Sequence, residues 1–426
     1  MKTILIISPH FPPSNLAAVH RSRLFAQHLP SFGWKPVILT VDEKYYEEKL
    51  DWNLQKLLPE DLRIEKVKAF KTTKPRLIGD IGLRAFFQLY KKAKKLIKEE
   101  KIDFLYIPIP SFYVALLGRW LHTTTEIKYG VDYIDPWVHY FPGSGKAFSR
   151  HWFSTQIAKI LEPIAIKKAS LITGVAEGYY KGVQERNPGL AKNRLFAAMP
   201  YGGENMDHSK VQGMGLKPYL FETKADKIQL VYAGAMLPKA FKPLENIFNA
   251  MIANVDNFKD VEIHFIGTGT SPNNATGYNI KSIAEKYGLW HNVVFEYPAR
   301  IPYLDVLVHL NAAKGVFILG STEPHYTPSK VYQGVLSKKP IWAVLHKSST
   351  ACQVISASGA GIVLDFDGEE GLDTIAENFA DSFHQYKCFL AQYDFEKIKQ
   401  AEFEKYSAYN VTGSLVKLLD IATATL

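Results

Sequence analysis

Residues 228–243 read IQLVYAGAMLPKAFKP, and residues 326–344 read YTPSKVYQGVLSKKPIWAV. The first is an apolar run ended by Gly234, then a turn carrying Lys239 and Lys242, then the start of an amphipathic stretch. The second opens a helix at Lys330 behind Pro328 and Ser329 and passes into another apolar run at 340–345. Between them FIGTGTSPNN, 265–274, closes a further apolar run with Gly267, Gly269 and Thr270. Strand, loop and helix repeated in this way predict a parallel sheet with helical crossovers, whose ligands bind at the carboxyl ends of the strands. There Gly234 allows a sharp turn, Lys239 and Lys242 reach for a diphosphate, and Gly267 and Gly269 permit close approach. The free N–H groups at the helix start near Ser329 and Lys330 suit a phosphate. Each feature also has a plainer use, as a turn, a solvated lysine or an N-cap. Their order on successive strands is what points to a site.

The alternation extends over the chain. Strands are expected at 3–7, 35–40, 103–107, 127–131 and 170–174, and again at 228–233, 261–266, 293–295, 315–319 and 340–345. Helices are expected near 17–31, 83–101, 111–122, 152–168 and 177–187, then near 243–255, 279–287, 303–312, 329–336 and 349–358. The polar, Gly-rich stretch at 201–218 reads as a linker. Two consecutive α/β sheets in 426 residues predict two domains, 1–205 and 206–394, with a helical tail at 395–426, and a cleft enzyme.

Composition narrows the class. The content is 47% hydrophobic and 22% charged, that of a globular chain. Two cysteines make a disulfide framework unexpected and suit a reducing compartment. No 18-residue apolar stretch appears, and the N-terminal strand is short for a signal peptide, so a cytoplasmic protein is expected. Net charge is +9, with 31 Lys+Arg against 19 Asp+Glu in residues 1–205. The surplus therefore sits in the first half, which should attract anionic partners. No nucleic-acid-binding signature is present, so nucleic acid is not expected. Segment 84–101, RAFFQLYKKAKKLIKEEK, sets Phe86, Leu89, Tyr90, Ala93, Leu96 and Ile97 on one helical face among lysines. It reads either as an ordinary core-facing helix or as one lying on the inner face of an anionic membrane.

Taken together these segments resemble the large bacterial family of retaining glycosyltransferases that build lipopolysaccharide, capsule and exopolysaccharide (glycosyltransferase group 1, family 4-like). The opening 7–41 is similar to its first strand, loop, helix and strand, and VDYIDPWVHYF, 131–141, resembles a mid-domain segment of its exopolysaccharide members. FIGTGTSPNN, YPARIPYLDVLVHL and YTPSKVYQGVLSKKPIWAV resemble successive elements of its donor domain. The resemblance implies an α/β fold of GT-B type, two Rossmann-like parallel-sheet domains facing across a cleft, with the tail returning to the first domain.

It also implies roles. Gly234 begins the donor phosphate loop, and Lys239 or Lys242 neutralises the leaving diphosphate, although Ala235 stands where the family has Arg. Arg300 and Ile301 meet the base, Pro328, Ser329 and Lys330 face the phosphates, and Gln333 replaces the Glu that binds ribose. The earlier Glu of the family's pair has no clear counterpart, Glu323 being out of register and His325 nearer the place. On the acceptor side Ser14 and Asn15 replace a glycine-bearing loop. Arg21 reads either as a cleft residue for an anionic group or as a surface residue. Asp135 reads either as a polar contact to acceptor or sugar or as an Asx turn before Pro136.

The implied reaction moves a sugar from a nucleotide-diphosphate-sugar to a glycan or lipid-linked acceptor, with retention, no metal and no further cofactor. The sequence shows no evident acid–base pair, which suits that scheme. Two alternatives are a nucleotide-sugar epimerase on the same fold and a non-catalytic relative that binds nucleotide or glycan.

Overall fold

The computed structural model describes residues 1–73, 78–139, 145–192, 194–271 and 274–424. The chain forms two units, Met1–Tyr201 with Ala408–Leu426, and Gly202–Ser407.

The first unit is built on seven parallel strands: β1 (Lys2–Ile7), β2 (Trp34–Val41), β3 (Arg63–Val67), β4 (Phe104–Ile109), β5 (Tyr129–Tyr133), β6 (Leu171–Gly174) and β7 (Leu195–Ala198). Their order is β3-β2-β1-β4-β5-β6-β7, with Leu5 opposite both Val37 and Leu105. Side chains alternate across a strand, so each face has its own core. Leu5 and Ile7 face the helices Phe86–Glu99, Ala115–Thr125 and Arg150–Ile166. Ile4 and Ile6 face the helix Ala17–His28 and the C-terminal helix Ala408–Thr423, which buries Val411, Leu415 and Leu419 there.

The second unit has six parallel strands: β8 (Ile228–Ala233), β9 (Val261–Ile266), β10 (Val294–Tyr297), β11 (Gly315–Leu319), β12 (Ile341–His346) and β13 (Gly361–Phe366). Their order is β10-β9-β8-β11-β12-β13. The chain reverses its direction of sheet growth between β8 and β11, and between β1 and β4 in the first unit. Such a switch point leaves a crevice at the strands' carboxyl ends. Behind the second sheet the helix Leu372–Gln392 stacks Phe379 on Trp342 at 4.5 Å, and the buried indole N–H donates to Ser382 Oγ at 3.0 Å.

Several expectations are corrected. β3, β7, β13 and the helix Leu372–Gln392 are present besides the expected elements. The stretch expected as a linker contains the helix Asn205–Gly213, whose first turn is capped by Glu204 accepting from Met206 N at 3.0 Å. The tail is not one helix, and its residues up to Ser407 belong to the second unit. In the helix Phe86–Glu99, Phe86, Leu89, Ala93 and Leu96 are buried, and Tyr90 and Ile97 pack against the same core. That apolar face is spent inside the protein. No helix among the described residues is long and apolar enough to cross a membrane.

Candidate functional site

In the second unit the loops after β8, β9, β10 and β11 gather at one edge of the sheet. Gly234 leaves β8 with φ +130°, a conformation that favours glycine. A Cβ at that position would lie 3.3 Å from Lys330 Nζ, so the absent side chain leaves the ammonium open to the loop. The stem of Lys330 is partly exposed, but its Nζ is buried and has no hydrogen-bond partner. It sits 3.5 Å from the centroid of the Tyr232 ring. Burial pushes its pKa down to about 7. A buried cation without an acceptor is costly unless something anionic completes it.

The other expected lysines are already paired. Lys239 meets the mostly buried Glu323 at 3.2 Å, and Lys242 meets Glu369 where both side chains are exposed. Thr322 joins them, donating its N–H to the Lys239 carbonyl and its hydroxyl to Glu369. An exposed pair such as Lys242–Glu369 contributes about 0–1 kcal/mol, so an incoming anion can exchange with Glu369 at little cost.

Gly267 has φ +74°, and a Cβ on it would stand 3.9 Å from Arg300 Cα, which sets the β9 and β10 loops side by side. Ile301 is buried beside Arg300. Gly269 is a glycine for packing, since a Cβ there would meet the Pro298 carbonyl oxygen at 2.6 Å. Thr268 and the N–H groups of Asn279, Ile280 and Lys281 all donate to buried Glu296, which anchors this loop. Pro272 and Asn273 lie outside the described residues, as do Tyr140 and Phe141 of the 131–141 segment.

Pro328 is buried, and the helix behind it, Lys330–Leu336, has seven residues and no side-chain cap from Ser329. The weight expected of a helix N-terminus therefore falls on Lys330 itself. Gln333 Oε1 lies 2.9 Å from His208 Nε2. Burial lowers the His208 pKa, and because an amide oxygen can only accept, the ring donates Nε2–H and one lone pair of that oxygen is taken. His208 is on the helix Asn205–Gly213, the stretch expected as linker, which is why the sequence did not connect the two.

In the first unit Arg21 is neither a cleft ligand nor a surface residue. It is buried, its Nε and Nη2 donate to Asp132 at 2.8 and 3.1 Å, and its Nη1 donates to the Pro200 carbonyl. Thr173 Oγ1 donates to the same carboxylate at 2.7 Å. Every acceptor in this group is used internally. Ser14 is buried and its hydroxyl donates to Glu48, while Asn15 beside it is partly exposed. Asp135 follows β5 and is water-accessible, yet crowding by protein atoms pushes its pKa above the usual carboxylate range.

The structure also reveals an acid–base pair that the sequence did not. His10, in the loop after β1, holds Glu48 at 2.8 Å through Nδ1. Burial raises the Glu48 pKa, but the hydrogen bonds from His10 and Ser14 outweigh it and bring it down to about 2. The partners are 38 residues apart, and only the return of the chain after β2 joins them. Among the described residues, no group of three or more His, Cys, Asp or Glu gathers that could hold a metal ion.

No family model and no curated protein matches the chain. Solved structures do match. A glycosyltransferase from Rickettsia africae is 13% identical over 100% of this chain and 99% of its own, with a TM-score of 0.64. Anabaena HepE in complex with UDP and glucose is 14% identical over 99% and 100%, with a TM-score of 0.62. S. aureus MnaA with UDP is 12% identical over 99% and 96%, with a TM-score of 0.54. At these identities the likeness establishes the fold, and that fold is GT-B, with two Rossmann-like parallel-sheet domains.

Proposed function

We propose that this chain is a glycosyltransferase. It takes a sugar from a nucleoside-diphosphate donor bound at the carboxyl edge of the second sheet. The acceptor is a glycan or lipid-linked sugar met by the first unit, in the synthesis of a bacterial surface polysaccharide. The observation that carries this reading is the Lys330 ammonium, buried without an acceptor and facing the side-chain gap at Gly234. A diphosphate supplies the missing charge. That HepE, similar in fold, was solved with UDP-glucose supports the same class of ligand. Lys330, Lys239 and Lys242 then stabilise the departing diphosphate, and the scheme calls for no metal and no further cofactor. Gly267, Arg300 and Ile301 border the nucleotide, and Asp135 contacts acceptor or sugar.

The family resemblance favours retention, with a leaving phosphate oxygen taking the acceptor's proton. One observation favours inversion instead. Glu48 accepts from His10 Nδ1, which leaves Nε2 as the ring nitrogen placed to take a proton, the orientation of a general base. His10→Ala separates the two. A fall in kcat of ~10²–10⁴-fold with unchanged donor affinity assigns His10 as the base, and near-normal turnover assigns the phosphate.

The reading is tested by a metal-free thermal-shift series against UDP, GDP, ADP, CMP and NAD. A shift with one nucleoside diphosphate is expected. A shift with NAD alone, or with none, overturns the transferase.

A further inference from the structure

The helix Arg150–Ile166 carries more apolar surface than the core uses. Ala158, Ala165 and Ile166 are buried against the first sheet. Phe153, Ile157, Ile160 and Ile164 are instead 49%, 42%, 65% and 44% exposed. Their spacing of four, three and four residues places them in a single stripe along the helix. At its N-terminal end Phe148, 77% exposed, packs on Trp152 and Phe153 at 5.5 and 6.2 Å. The layer continues onto the helices beside it. Trp120 of Ala115–Thr125 is exposed with its ring 5.0 Å from Phe86, and Phe87 is exposed one residue on.

The frame of this stripe is cationic. Lys146, Arg150, Lys159, Lys167 and Lys168 are all exposed. The only acid between 145 and 168 is Glu162, which is buried and held by Arg186 at 2.7 Å. An occupant must therefore offer an apolar interior and a negative rim. A second copy of the chain meets the first condition and fails the second, because it would bring the same lysines against themselves.

We propose that this face docks on an anionic lipid bilayer. The stripe enters the acyl boundary, the Phe148–Trp152–Phe153 cluster sits at headgroup level, and the lysines meet lipid phosphates. It replaces the helix Phe86–Glu99 as the membrane-facing element, since that helix has its apolar face in the core. The inference deepens the reading of a lipid-linked acceptor, but vesicle binding is measured on the protein alone and does not depend on transfer.

The test is co-sedimentation with phosphatidylcholine vesicles, with and without phosphatidylglycerol, at low salt. The wild type should sediment with the acidic vesicles and remain in solution with the neutral ones. Ile157→Ser/Ile160→Ser and Lys159→Glu/Lys167→Glu should each weaken acidic-vesicle binding by at least ~10-fold. All of these side chains are exposed, so far-ultraviolet dichroism and the nucleotide-induced thermal shift should be unchanged in both variants. A loss of nucleotide shift in the wild type alongside intact vesicle binding would sink the transferase reading and leave this one standing. Wild-type protein that stays in the supernatant overturns the docking face. So does variant binding equal to wild type, or a sedimentation-velocity dimer that Ile157→Ser/Ile160→Ser dissociates.

Discussion

Lys330 and Arg21 are two buried cations with opposite solutions. Arg21 is saturated by Asp132 and the Pro200 carbonyl, whereas the Lys330 ammonium has only the face of Tyr232. Removing one partner of a buried pair strands the other charge. Arg21→Ala should therefore cost about 3–5 kcal/mol in urea unfolding, and Arg21→Met/Asp132→Leu should recover much of it. Equal losses in both variants would contradict the pairing. For Lys330 the sign runs the other way. Its folded pKa is near 7, below the ordinary 10.5, so between these values the unfolded chain keeps a proton that the folded chain has lost. Its contribution to stability thus rises with pH across that window, by up to ~1.4 kcal/mol per unit, and Lys330→Met removes it. A wild-type-minus-variant difference that stays flat from pH 7 to 10 would contradict this. The sequence made Lys330 legible, because Pro328 and Ser329 mark the loop it ends. It could not show that Arg21 is spent internally, since Asp132 lies 111 residues away.

At the scale of elements, the strands that were legible are those buried on both faces, such as β8 and β9, whose apolar runs are continuous. Those missed have physical reasons. β3, RIEKV, is an edge strand and carries charge, β7 is four residues long, and β13 closes the other sheet's edge only partly buried. The helix Leu372–Gln392 begins at Gly371 with no side-chain cap, so nothing local announced it, and tertiary contacts stabilise it. Phe379 is its anchor, fully buried between Trp342 and Phe258. Phe379→Ala should cost about 3–5 kcal/mol and speed hydrogen exchange in β12 while sparing β1. Uniform acceleration in both strands, or in neither, would contradict that assignment. The converse case is Arg150–Ile166, whose helical period was readable but whose apolar excess on the outside appeared only with the core in place.

For the whole molecule, the charge surplus of residues 1–205 and the buried lysine of the second unit assign different tasks to the two units. In the proposed function the first meets the acceptor and the second binds the nucleotide. The two-sheet plan was readable from the alternation of strands and helices. The proposed function was readable only as resemblance, because Ala235 and Gln333 depart from the pattern of the family that the chain resembles. Turnover with the matching nucleotide sugar should persist in excess EDTA, because lysines carry the charge. Activity abolished by EDTA and restored by Mn²⁺ would reassign that role to a metal. The most direct test of the central claim is calorimetric titration of the matching nucleoside diphosphate, without metal, into wild type and Lys330→Met. Lys330→Met should lose at least ~10-fold in affinity, consistent with a charge-assisted contact of about 1.5–3 kcal/mol. Binding should also take up a proton at pH 8 in the wild type and not in the variant. Equal affinity and equal proton exchange in the two proteins would contradict that claim.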